Sequence, residues 1–414
     1  DWFALISTAV IAGALLVVCI IGLFSALGLH PDEWDVKACL DYGMTHFLPP
    51  DMRDPAVAQT YSGYGYTKLE NYTWYFYLAG KIALLFKTMF CSLAYYRVPN
   101  LLLFAALAFY FVRNIRQKNW LMVALGICVQ SWYIFSYTTA DALDFTIAFA
   151  ITCLLCNPQS LLYRTVEKKK LCRRDIPAFL LLGLLFGNIA LGKQCYLAIL
   201  ALSFFVLLLR LIWQKDPLQK KVLWRNYLII VGVFLAVFAF RAGFDIAHYG
   251  TEKSQVKEAV AIQYADYDKN PSTPTEELNP SWHMYSRGYT LSDVFAENPD
   301  WFAMSYKSFC GLLQDHDTGA WYYWCMGLLL RHFQASVIHA AALGKLHGQM
   351  QGKIRFVICT LLMVGELAAS IVNSWLIESM AQGRYLLPCI LIAGYLASTV
   401  PELFQKKIYR TLLS

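Results

Sequence analysis

The chain has 414 residues, 58% of them hydrophobic and only 15% charged, with 35 Lys and Arg against 28 Asp and Glu for a net charge of +7. Soluble domains carry about a quarter of charged residues, so this composition excludes a soluble globular protein and reads as a polytopic membrane protein. The basic excess collects in short loops between apolar runs, which makes it a topology signal with no nucleic-acid partner implied.

Stretches near the roughly 20 apolar residues that cross hydrocarbon lie at 2–29, 72–90, 96–113, 120–137, 139–156, 176–192, 194–213, 227–247, 320–341, 356–377 and 384–402. Runs such as 176–187 do not alternate as barrel strands do, so the expected fold is an all-α transmembrane bundle of 10 or 11 helices forming one membrane domain over 1–414. The first stretch has no cleavable signal pattern and is expected to be a retained anchor.

Where that stretch meets water stands His30-Pro31-Asp32-Glu33. Two adjacent carboxylates beside hydrocarbon repel one another and lose hydration, which raises proton affinity and suits a catalytic acid or base. The same residues would serve as a polar helix stop, and both readings stand at this point. The loop that follows, 30–71, holds seven Asp or Glu against three Lys or Arg. Its stretch from Asp35 reads as a helix lying flat on the membrane and stopped by Pro49-Pro50, and the tyrosine-rich stretch from Tyr61 suits an interface belt or sugar stacking.

Basic loops containing Arg113/Arg116/Lys118, Lys168-Lys169-Lys170, Lys220/Lys221/Arg225, Lys345/Lys353 and Lys406/Lys407/Arg410 read as cytoplasmic. The second long loop, 248–319, holds eleven Asp or Glu against five Lys or Arg. Both acidic loops then belong on the outer face, which requires that one early segment, 72–90 with Lys81 and Lys87, makes no ordinary crossing; ten crossings remain, with both termini cytoplasmic. Within the second loop Asp266-Tyr-Asp268 and Asp315-His316-Asp317 have a spacing that can hold a divalent ion, a pattern that also arises by chance in acidic loops. Arg287 opens its ordered-looking part. Most of the 12 cysteines fall in apolar runs as small hydrophobes. Cys153-x-x-Cys156 reads as packing, and only Cys39 with Cys310 is a candidate bridge.

Charges at membrane depth need a partner, a wet cavity or a function. Asp141 and Asp144, Lys193-Gln194, Arg241 and Asp245, and Glu378 with Gln382-Gly383-Arg384-Tyr385 all fall at the outer level of Asp32 in this topology. Such a ring suits a substrate with an apolar tail and an anionic head, Arg384 forking onto phosphate oxygens and Lys193 supplying a point charge. A structural salt bridge to Asp141, Glu378 or Asp245 would occupy either cation equally well. Glu366 has no obvious partner.

An acidic pair directly after the first helix, a first outer loop with flat helices, Asp141 heading an early helix and a long later loop together resemble the GT-C superfamily of integral-membrane glycosyltransferases. The segment 30–55, with Lys193 and Gln382–Pro388, is similar to bacterial GT-C-like membrane proteins. The resemblance implies a polyprenyl-phosphate-linked sugar donor, a glycan, lipid or protein acceptor, and inverting transfer on the extracytoplasmic face of the cell membrane, without cofactor or metal. It implies Asp32 as general base and Glu33 as its acidic neighbour, with Lys193 and Arg384 as phosphate candidates; Asp141, Gln382, Tyr385 and Arg287 complete the expected substrate-binding set. A lipid flippase would need the same basic groove but no base. A polymerase or ligase of lipid-linked glycans is expected to carry more Arg in its second loop.

Overall fold

The computed structural model describes residues 2–30, 32–90, 92–114, 128–311, 319–328, 331 and 349–399. Asp315, His316, Asp317, Arg116, Lys118, Lys345, Lys406, Lys407 and Arg410, and most of the expected crossing 320–341, lie outside these residues. Regular structure among the described residues is helical, apart from isolated bridges pairing Tyr61 with Thr67 and Trp282 with Glu378.

The helices, in chain order, are α1 (Trp2–Phe24), α2 (Glu33–Thr45), α3 (Tyr75–Phe86), α4 (Val98–Asn114), α5 (Val129–Tyr133), α6 (Asp141–Cys156), α7 (Leu161–Val166), α8 (Ile176–Leu191), α9 (Leu197–Trp213), α10 (Pro217–Tyr249), α11 (Lys253–Tyr264), α12 (Asp293–Glu297), α13 (Trp301–Cys310), α14 (Gln349–Leu376) and α15 (Leu387–Ser398). Among the described residues, five helical stretches are long and apolar enough to cross a membrane: Leu5–Phe24, Arg173–Leu191, Gln194–Trp213, Pro217–Tyr249 and Met350–Leu376. α10 begins ten residues before the expected 227, because the Asp216 side chain caps the Leu218 N–H and Pro217 sits at the first helical position. Its 33 residues make a rod of about 50 Å, longer than the hydrocarbon core.

Several expected crossings are shorter than the sequence implied. Only Val129–Tyr133 is α-helical in the described part of 120–137, and the chain then turns irregularly toward Asp141. α3, within the 72–90 stretch not expected to make an ordinary crossing, has 12 residues, about 18 Å, which is too short to span a bilayer unaided. It packs instead along α2, the helix expected from the Asp35 stretch.

α6 and α15 are short and buried along most of their length, forming the centre of the apolar core. The long helices surround them and turn apolar side chains outward, such as Leu228, Val231, Leu235 and Phe240 of α10 and Leu361 and Val364 of α14. In water each such side chain would forfeit about 1.5–3 kcal/mol of burial, whereas in lipid it costs nothing. α8 and α10 approach closely because Gly183 and Gly187, four residues apart, leave room for Val233 and Val237; a Cβ on either glycine would lie 2.4 or 2.8 Å from the facing valine.

The two acidic loops form one body. Tyr61 stacks on Tyr264 with ring centroids 4.3 Å apart, the Asp266 N–H donates to the Gly63 carbonyl at 2.8 Å, and the Tyr249 hydroxyl receives the Met52 N–H at 2.8 Å. The basic segments gather at the other end of α8 and α10, where Arg225 donates to the Lys168 and Lys169 carbonyls and Arg210 pairs with Glu167. Cys39 and Cys310 are both free and buried, so the candidate bridge is absent: Cys39 packs beside Thr67, and Cys310 ends α13 in a separate aromatic cluster.

Candidate functional site

Asp32 is the residue before α2, and its backbone is left-handed at φ 62°, ψ 6°. Asp tolerates this region better than most residues, but it is a strained conformation that must be held by its surroundings. The restraint is Glu33. Its carboxylate receives Arg97 Nε on Oε1 and Nη2 on Oε2, both at 2.7 Å, the Gly28 N–H at 2.9 Å and the Thr138 N–H at 3.3 Å. Arg97 in turn donates to the carbonyls of Gly22, Ser25 and Ala26 at the end of α1. One fork thus ties the end of α1, the start of α2 and the segment before α6 together, with both side chains at 1% exposure or less.

Asp32 keeps 39% of its side-chain surface open and faces cations from three parts of the chain. Lys68 Nζ lies 3.1 Å from its Oδ2, and Arg384 Nη2 lies 3.7 Å from the same oxygen. Arg384 Nη1 is also 3.9 Å from Asp141 Oδ2, and Lys193 Nζ sits 2.6 and 2.8 Å from the two Asp141 oxygens. Lys193 caps the break between α8 and α9, where its own N–H donates to Asp144 at 2.9 Å. Gln382 accepts from Arg384 Nε at 2.9 Å, and the Tyr385 ring lies 5.1 Å from Lys193 Nζ and 5.8 Å from the Arg384 guanidinium. Three cations, Lys68, Lys193 and Arg384, therefore share two carboxylates, Asp32 and Asp141, with Asp35 close to Lys68 and Asp144 receiving the Lys193 N–H.

Aromatic groups of both loops border the cluster. Tyr66 is pushed up to about 12 by burial and by the nearby Asp32 charge, so its phenol stays protonated at neutral pH. The Tyr64 ring lies 5.5 Å from that of Trp282, whose backbone bridges to Glu378 just before Arg384. α13 braces the 3-10 turn at Arg384, with Gly383 so close that a Cβ would lie 2.1 Å from the Phe309 nitrogen.

Of the residues singled out in the sequence, Asp32, Lys193, Arg384, Asp141, Gln382 and Tyr385 come together. Glu33 does not share the open space, because all of its approach is taken by Arg97 and two backbone N–H groups. Arg287 lies outside the cluster, its guanidinium donating to the carbonyls of Thr275, Asn279, Pro280 and Trp282. The expected rise in proton affinity of the acidic pair is reversed. Burial alone would raise the Asp32 carboxyl, but Lys68, Arg384 and Lys193 outweigh it and hold it below the usual value. Burial is likewise outweighed at Glu33, by Arg97. A carboxyl that is raised is Asp35 in the first turn of α2, where burial, helped by Asp32, prevails over Lys68.

Sequence pattern alone does not mark Lys68, Arg97 or Asp35 as site residues. Lys68 sits in a tyrosine-rich loop with nothing to mark its partner, whereas Arg97, heading an apolar run, carried the signal of a charge in need of one. Among the described residues no group of three His, Cys, Asp or Glu is placed to hold a metal, and Asp266 and Asp268 gather no third ligand. No known protein family, curated protein or solved structure matches the chain.

Proposed function

We propose that the protein is an integral-membrane glycosyltransferase that moves a sugar from a polyprenyl-phosphate donor to a cell-envelope acceptor on the extracytoplasmic face, with Asp32 as general base. The observation that carries this reading is the single cluster in which an open, ionised Asp32 faces Lys68, Lys193 and Arg384 at the level where apolar helices end. The resemblance to GT-C enzymes noted in the sequence points the same way.

The donor phosphate enters among the three cations and competes with Asp32 and Asp141 for them. As the cations turn to the phosphate, Asp32 loses part of the positive field that depresses its proton affinity and becomes a better base. The acceptor hydroxyl gives its proton to Asp32 while its oxygen bonds to C1 of the sugar. The C1–O bond to phosphate breaks with its electron pair on the departing lipid phosphate, where Arg384, Lys193 and Lys68 stabilise it. Tyr64, Tyr66 and Tyr385 offer ring faces for a sugar.

Asp32→Asn tests this directly, because Asn also tolerates the left-handed backbone while losing the proton acceptor. Transfer from a polyprenyl-phosphate sugar by purified protein is expected to fall by roughly 100-fold to 10,000-fold, with donor binding retained. Wild-type-like transfer in this variant removes Asp32 as the base, and lipid translocation without sugar transfer in the wild type replaces the enzyme reading with a flippase.

A further inference from the structure

Three helices that begin beside the charged cluster all end at a second polar site. α6 starts at Asp141, α9 follows Lys193 and α15 follows Arg384; their far ends, with the first turns of α14, line a cavity of about 420 Å³. α9 alone, with 17 residues, puts about 25 Å between the two sites. The cavity lies at the basic end of the bundle, and Arg210 and Arg355 both line it.

The two arginines are braced by aromatic faces. The Arg210 guanidinium lies 4.5 Å from the Tyr163 ring centroid, and that of Arg355 lies 5.6 Å from Trp213. Arg210 has a carboxylate partner in Glu167, but among the described residues Arg355 has none. Tyr395 and Ser398 of α15 complete the wall opposite. The rings hold both guanidinium groups at the cavity, and while Glu167 takes Nη2 of Arg210, Arg355 has no carboxylate partner among the described residues, an arrangement suited to the oxygens of a phosphate. Basic cavities between transmembrane helices at a membrane boundary are places where anionic headgroups bind.

We infer that the cavity bounded by Arg210, Trp213 and Arg355 is a binding site for a phosphate group, separate from the Asp32 cluster and at the opposite end of the bundle. The phosphate is carried by a membrane lipid headgroup or by a soluble phosphate ester, and one experiment distinguishes these sources. A ligand there wedges the ends of α6, α9, α14 and α15, so occupancy stabilises the four helices whose other ends shape the Asp32 cluster.

The test uses the full chain in phosphatidylcholine nanodiscs, with the thermal unfolding midpoint read during titration with phosphatidic acid in one arm and inorganic phosphate in the other. A rise in midpoint is expected in wild type and in Arg384→Gln, which keeps this cavity intact. Arg355→Gln should weaken the half-maximal concentration by about tenfold to a hundredfold, and Arg355→Lys by less. An Arg355-dependent rise with the lipid alone identifies a headgroup site, and one with inorganic phosphate identifies a soluble ligand. No rise in either arm, or a rise unchanged in Arg355→Gln, overturns the inference; a rise lost in Arg384→Gln instead assigns the binding to the Asp32 cluster and overturns it as well.

Discussion

Asp32 and Glu33 are neighbours in sequence with opposite surroundings. The left-handed backbone at Asp32 turns its carboxylate into the open cluster, while Glu33 enters the first turn of α2 and disappears into the Arg97 fork. Glu33→Gln leaves the Arg97 guanidinium buried and unpaired, an error that typically costs about 3–5 kcal/mol. Its midpoint of thermal unfolding in detergent is expected to drop sharply, whereas Glu33→Leu with Arg97→Leu together should recover part of the loss. A Glu33→Gln protein as stable as wild type would show that the pair does not brace the chain. The pH dependence follows from Asp32. Its folded proton affinity lies below the unfolded one, so its contribution to stability is present above the ordinary value of 3.8 and is lost as pH falls through the lower folded value. The acid limb of unfolding midpoint against pH that Asp32→Asn removes is therefore expected below that ordinary value, with no titration of Asp32 near neutrality.

The pairing of α8 with α10 depends on two small residues. Gly183 and Gly187 face Val233 and Val237 at distances that leave no room for a side chain, whereas nothing lies within 4 Å of a Cβ placed on Gly232. Gly187→Leu is expected to push the helices apart and cost about 1–3 kcal/mol, and Gly232→Leu, facing open space on the same pair of helices, to be nearly neutral. Equal unfolding midpoints for the two variants would contradict the close approach. The displacement also matters to the site, since α8 ends at the break that carries Lys193. The four-residue spacing of the two glycines is visible in the sequence, but many such spacings are accidental, and only the facing valines give this one its meaning.

For the whole molecule, the segregation of charge yields a topology that labelling can check. The two acidic loops touch one another, and the basic segments lie at the far ends of α8 and α10. Cys172 is exposed at the basic end, so a native thiol reports from there. In oriented membranes an impermeant thiol reagent applied outside should label Asp268→Cys and spare Cys172. Labelling of both from the same side would remove the proposed orientation and with it the extracytoplasmic site.

The helical membrane character, the acidic and basic loops, and the identity of most charges in the cluster are legible in the sequence, because hydropathy and the cost of a charge near hydrocarbon are properties of short segments. The length of each crossing is less so: α6 and α15 are shorter than their apolar runs implied, since a run can be buried by neighbouring helices as well as by lipid. Partner choice was decided by the tertiary structure alone. Glu33 and Arg97 are 64 positions apart, Asp141 and Lys193 52, and Asp32 meets Lys68 and Arg384 only after both loops and the last helix have packed. The sequence showed which groups needed a counter-charge, but a Coulomb partner is set by distance in space, and that distance exists only once the bundle has closed.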